Sequence, residues 1–233
     1  MLTSDIALHI ARELGIRPAQ VEATMSLLDE SNTVPFIARY RKEVTGELDE
    51  EKIRAIEERT GYLRNLVKRQ EEIIASITDQ GKLTPELAAA ITATTKLQDL
   101  EDLYLPYRPK KRTRAMIARE KGLEPLADII MRQELQQGDP LDAAAAFIDE
   151  EKEITTAAAA LAGAMDIIAE TVTERADIRS AMRKHLWVNA ELATELAVPE
   201  SEAKEVLTYK EYHEPVKRMP SHRILAVNRG EDK

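Results

Sequence analysis

The sequence predicts an all-α protein, a multi-helix bundle braced by a long central helix and ending in a short orphan strand. Three observations carry that expectation. Ala, Leu, Ile, Glu and Arg, all good helix formers apart from the β-branched isoleucine, dominate the 233 residues, while only 8 glycines and few aromatics occur. Helix start and stop residues recur along the chain. Between them, apolar residues return every three or four positions.

The elements follow in order. Gly15 ends a first amphipathic helix and Pro18 opens a second at its first helical position. Pro35 opens a third, carrying Phe36, Ile37 and Tyr40. Asp49 caps a helix that runs to about Gln80 and is closed by Gly81. Its seam reads Ile53, Ile56, Thr60, Leu63, Val67, Gln70, Ile74 and Ile77, widened by Leu66 and Ile73 as burial within a bundle requires. At 1.5 Å per residue it spans about 45 Å. Thr84-Pro85-Glu86 and Asp139-Pro140 start further helices. Thr171 with Glu174 fits a capping box opening a helix through Met182, Leu186 and Trp187, with Trp187 expected in the core. The alanine runs 143–146 and 157–160 let helices approach closely. Roughly ten helices result. Near the end, Pro199, Pro215 and Pro220 interrupt helix formation, and Arg223–Val227 reads as a strand before an Asn228-Arg229-Gly230 turn. A strand without a partner is incomplete, so the sequence suggests a helical module over 1–195 and a connecting segment over 196–233 that leads toward a further domain.

Composition narrows the chemistry. The formal charge is −9, so any contact with nucleic acid has to come from a local basic patch. Cysteine is absent, which removes disulfides, thiol nucleophiles and thiolate metal sites. His9, His185, His213 and His222 have no zinc-protease spacing, and no phosphate loop, nucleophile elbow or dinucleotide fingerprint is present. The expectation is therefore a non-enzyme without cofactors. No secretory signal or run long enough to span a bilayer is visible, which points to a cytoplasmic address with no membrane partner.

One segment stands out. Arg108, Lys110, Lys111, Arg112, Arg114, Arg119 and Lys121 fall within fourteen residues, opposed only by Glu120, and follow Tyr104-Leu105-Pro106-Tyr107. Pro106 and Pro109 favour an extended start, with a helix over 113–121. Such a stretch can lay cations along a phosphate backbone. It can equally be an internal clamp, its arginines paired with acids such as Glu101 and Asp102. Arg39-Tyr40-Arg41-Lys42 forms a second basic cluster, with Arg39 and Lys42 one helical turn apart and Tyr40 expected in the core beside Phe36 and Ile37. The candidate nucleic-acid contacts are Arg108, Lys110, Lys111, Arg112, Arg114, Arg39 and Lys42.

These segments also carry a family resemblance. Val34-Pro35-Phe36-Ile37-Ala38-Arg39-Tyr40-Arg41-Lys42-Glu43 with Thr45-Gly46 and Leu48-Asp49-Glu50 resembles the N-terminal signature of the bacterial Tex family. So do Leu97–Arg114 with Ala118–Ala127, and the final Pro220–Glu231 stretch. The resemblance covers most of residues 1–190. It implies a helical N-terminal module with a helix-turn-helix-like element in a transcription accessory protein. Complete members continue into an RNase H-like domain, helix-hairpin-helix motifs and an RNA-binding OB-fold. Ser31-Asn32 stands where a family glycine is expected, and Asn32 is the residue suited to the left-handed backbone there. The function expected is a non-catalytic scaffold module with weak electrostatic contacts to RNA or DNA. The rival is a protein-interaction module docking to RNA polymerase or to the downstream domains.

Overall fold

Hydrophobic periodicity and capping residues translate into thirteen α-helices and one two-stranded sheet in the described part of a computed structural model. The description covers residues 3–109, 111–133, 138–202 and 207–231. The chain divides into two compact units, Met1–Arg108 and Pro109–Lys233.

The first unit comprises α1 (Thr3–Leu14), α2 (Pro18–Asp29), α3 (Val34–Tyr40), α4 (Lys42–Thr45), α5 (Glu50–Asp79), α6 (Pro85–Ala93) and α7 (Leu97–Tyr104). The Asp49 carboxylate accepts from the Lys52 amide at 2.8 Å and opens α5, the long brace that the sequence predicts. Along it Ile53, Ile56, Thr60, Leu63, Leu66, Gln70, Ile73 and Ile77 are buried, and α1, α2, α3, α6 and α7 all pack on it. The seam lies toward Leu66 and Ile73, leaving Val67 and Ile74 half-buried. Buried Gln70 donates to the carbonyls of Ile91 at 2.8 Å and Thr94 at 2.9 Å, satisfying the open end of α6. On its outer side α5 is strapped by arginines. Arg59 clamps Glu13 of α1 through two 2.7 Å bonds, Arg64 clamps Asp29 of α2 likewise, and Arg69 reaches Glu101 of α7 at 2.6 Å. At the end of α2 it is Ser31, not Asn32, that takes the left-handed backbone, with φ of 65°. Asn32 instead donates its side-chain amide to the Leu27 carbonyl at 2.9 Å.

The second unit comprises α8 (Arg114–Glu120), α9 (Glu124–Arg132), α10 (Pro140–Ala145), α11 (Ala157–Thr173), α12 (Ala176–Asn189), β1 (Glu191–Glu195), β2 (Glu211–Pro215) and α13 (Ser221–Glu231). The small residues do what their size permits. Ala160, Ala164 and Ala144 are fully buried, and α11 packs on α8, α9 and α10. Gly163 marks the closest approach, for a Cβ there would lie 2.4 Å from Leu123 Cδ1. The proposed capping box at Thr171 is not a helix start. Thr171 sits inside α11, its hydroxyl bonded back to the Ile167 carbonyl at 2.8 Å, and the break falls at Glu174-Arg175.

Two further expectations do not hold. Trp187 is not core: it is 56% exposed on α12, beside exposed Met182, Leu186 and Val188. The orphan strand over Arg223–Val227 is helix α13, in which the backbone satisfies itself and needs no ladder. The Arg223 guanidinium ties α13 to Glu214 of β2 at 2.8 Å. The strands lie earlier, antiparallel, with Ala193 opposite His213. Leu192 and Thr194 are half-buried between exposed neighbours, the period-2 signature of a one-sided strand.

Candidate nucleic-acid interface

The 108–121 segment sorts into cations held internally and cations left to solvent. Residues 105–107 form a 3₁₀ turn, and the extended run begins at Arg108, whose φ and ψ are −65° and 131°. Thr113 then opens α8, its hydroxyl accepting from the Met116 amide at 3.1 Å and donating to Glu170 of α11 at 2.9 Å. Arg119 reaches the other oxygen of Glu170 at 2.6 Å, and Lys121 reaches Glu153 at 3.2 Å. The Glu170 side chain is only 13% exposed, so this pair is a strut between α8 and α11.

The candidate residues behave differently. Arg108 and Lys111 are exposed and have no side-chain partner among the described residues. Arg112 pairs with Glu120 at 2.7 Å on the open surface, and Arg114, 86% exposed, stands 3.6 Å from Asp166. Exposed pairs of this kind are worth about 0–1 kcal/mol and exchange readily for another anion. The clamp through Glu101 does not form with these residues, because Arg69 occupies that carboxylate. Lys110 lies outside the described residues.

Arg39 and Lys42, in the first unit, are exposed and likewise without side-chain partners among the described residues. They do not share one continuous helix: the backbone breaks at Arg41, φ −134° and ψ 26°, between α3 and α4. Tyr40 is not core but 62% exposed, and Phe36 is 36% exposed. The reason is rotational. Val34, Ile37 and Ala38 take the inward side of α3, which packs on α5, and a seven-residue helix has no second buried face for its two aromatic rings. The rings sit side by side, centroids 5.3 Å apart, with the Arg41 guanidinium 5.4 Å from the Phe36 centroid. The i, i+4 spacing of Phe36 and Tyr40 announced their pairing but not which way they face.

Among the described residues no group of three or more His, Asp or Glu side chains is gathered as a metal would require, and no helix is long and apolar enough to cross a membrane.

Two family models and several individual proteins match this chain. The model of the Tex-like protein N-terminal domain matches residues 4–78, and that of the Tex central region-like family matches residues 136–233. The chain is 48% identical over 226 residues to Protein tex of Bordetella pertussis (strain Tohama I), covering 97% of this chain and 28% of that protein. To Transcriptional accessory protein Tex of Neisseria gonorrhoeae it is 44% identical over 227 residues, 97% of the chain and 30% of the relative. To S1 RNA-binding domain-containing protein 1 of Homo sapiens it is 28% identical over 236 residues, 98% of the chain and 23% of the relative. The chain thus spans less than a third of the length of each of these relatives.

Proposed function

We propose, from the premise that the chain belongs to the Tex-like family and carries its N-terminal and central regions, that it is a non-catalytic helical scaffold of a transcription-associated, nucleic-acid-binding protein. In this reading Arg108, Lys110, Lys111, Arg112 and Arg114, with Arg39 and Lys42, make weak, sequence-independent contacts to RNA or DNA. The observation that carries it is the division of labour in the basic segment. Arg119 is tied to the largely buried Glu170 and Lys121 to the exposed Glu153, whereas Arg108 and Lys111 are unpaired among the described residues and Arg114 is 86% exposed. The names of the Neisseria and human relatives, a transcriptional accessory protein and an S1 RNA-binding domain-containing protein, are consistent with that role.

The test is anisotropy of labelled single-stranded RNA and duplex DNA at two salt concentrations, with the parent chain and a variant carrying glutamine at 108, 110, 111, 112 and 114. The parent should bind both, more weakly as salt rises. For up to seven neutralised phosphates the slope of log affinity against log salt on single strands is at most about 4.9 in magnitude, of which the five substituted cations account for at most about 3.5. The variant should lose affinity on all sequences and flatten that slope. Equal affinity in parent and variant would remove these residues from the site.

A second reading, a protein-interaction module docking to RNA polymerase or to the domains that follow in the longer relatives, is favoured by the apolar surface of α12. Met182, Leu186, Trp187 and Val188 are all exposed there. It predicts association with polymerase that is lost in M182S/L186S/W187S and untouched by the five-glutamine variant.

A further inference from the structure

Arg59, Arg64, Arg69 and Arg119 each find an acidic partner on another helix, and Val34, Ile37 and Ala38 are buried on the inward side of α3. The outer surface of α3 and the turn after it instead bring exposed aromatics and unpaired cations to one place. Phe36 and Tyr40 present their rings outward, neighbouring each other at 5.3 Å, while Arg39 and Lys42 extend beside them without side-chain partners among the described residues. Arg41 is fixed in the same group, its guanidinium near the Phe36 ring and donating to the Tyr40 carbonyl at 3.3 Å. Three cations stand in the run 39–42, and Glu43 is the first acid to follow them. Tyr40 is the more exposed of the two residues, at 62%.

We propose that Phe36 and Tyr40 form a stacking platform for one or two unpaired bases of a single-stranded nucleic acid, whose flanking phosphates lie against Arg39 and Lys42. The proposal rests on the nucleic-acid reading above and gives it a substrate class. Aromatic faces accept any base whose own faces are free, and cations at their edge track the backbone. A duplex offers no free face along its length, so the platform adds nothing to duplex binding. Pure electrostatics works the other way. A duplex carries one charge per about 1.7 Å of axis, denser than a single strand, and a purely cationic surface would hold it more tightly. Preference for single strands is therefore the mark of the platform.

The experiment uses the full chain, a labelled 12-nucleotide oligouridylate and a mixed-sequence duplex DNA of the same length, at low salt. F36L/Y40L keeps apolar bulk on an exposed helix face and removes both π faces, and Y40F keeps the face and removes only the hydroxyl. F36L/Y40L should bind the single strand about ten-fold or more weakly for each base that stacks and leave duplex affinity unchanged. Y40F should stay within about two-fold of the parent. Ultraviolet crosslinking of the oligouridylate should map to the peptide holding residues 36–40. If the parent binds the oligomer and F36L/Y40L binds it equally well, the platform is wrong and the basic-segment reading stands. A parent that binds no oligomer at low salt removes both. Loss of an apolar protein contact in F36L/Y40L, with oligonucleotide binding intact, would assign the two rings to a protein partner instead and overturn the proposal.

Discussion

Two polar residues lie on the buried seam of α5, and the structure gives them opposite energetic signs. Gln70 is 4% exposed and its amide donates at 2.8 and 2.9 Å to carbonyls at the end of α6. Thr60 is 5% exposed, and its hydroxyl is the buried side-chain atom without a hydrogen-bond partner among the described residues. Gln70→Leu removes two bonds of about 1 kcal/mol net each. The Ile91 carbonyl keeps its backbone bond from the Thr94 amide at 3.2 Å, so it is not orphaned, and the leucine gains some apolar burial. The expected cost is about 1–2 kcal/mol. Thr60→Val keeps the shape and removes an unpaired hydroxyl, so it should be neutral or stabilise by up to about 1 kcal/mol. Helix propensity differs little within either exchange and cannot produce the contrast. Urea denaturation followed by circular dichroism measures both variants. Amide exchange resolved to residues 88–96 should accelerate about 5–30-fold in Gln70→Leu and not in Thr60→Val. Equal stability in the two variants, or unchanged exchange at the end of α6, would refute the assignment of Gln70 as its cap.

Other consequences follow from the helix contacts and straps. Gly163→Ala gains about 1 kcal/mol of helix propensity but drives a methyl into Leu123, which is 2% exposed and cannot leave, for about 1–3 kcal/mol of overpacking. Its thermal midpoint should fall, and Leu123→Ala combined with it should cost less than the two changes added. Glu170→Ala unties Thr113 and Arg119 together and should cost about 1.5–3 kcal/mol by denaturation, loosening α8 in hydrogen exchange. The bonds from Arg59 and Arg64 hold the carboxyls of Glu13 and Asp29 below their ordinary values of 4.5 and 3.8. Because these folded values lie below the unfolded ones, the straps stabilise fully above about pH 5 and are lost as pH falls through the folded values. E13Q/D29N should flatten the acid limb of a stability-versus-pH curve, and an unchanged limb would discount the straps.

How much of this was legible in the sequence depends on whether the signal is local. Asp49, Pro18, Pro85 and Pro140 act within one turn of themselves, and the helices they open begin where their chemistry places them. The α5 seam is readable because thirty residues sample its period many times, so that even Thr60 and Gln70 fall on the core face. Arg223–Val227 failed because five residues cannot separate a strand from a helix, and its β-branched residues tipped the balance. Glu191–Glu195 alternates but is built partly of Ala and Glu, poor strand formers, and its partner lies some twenty residues away. Tyr40 and Trp187 were misplaced because an aromatic is expected inside. On α3 the short helix offers one buried face, which Ile37 takes, and on α12 no residue is fully buried. No feature of the residues themselves records that competition.

The candidate site has the same logic. With 42 acids against 33 bases, carboxylates outnumber the cations that could pair with them. Arg59, Arg64, Arg69 and Arg119 each pair with one and join one helix to another. Arg108, Lys111, Arg39 and Lys42 lack such partners among the described residues, as do scattered surface cations such as Lys68, Lys82 and Lys96, and it is the grouping of the first four in two short runs that suits them to an external anion. The net charge of −9 then shapes how that anion is met. Beyond about 8 Å at physiological salt the repulsion between the chain and a polyanion is screened, whereas contact at the exposed cations persists. Raising salt weakens the contacts by restoring counterions to the phosphates, but it also lifts the long-range repulsion. The two effects oppose each other, so the measured salt slope should be shallower than a count of contacting cations gives. Stacking on Phe36 and Tyr40, which carries no charge, would be the part of single-strand affinity that survives at high salt.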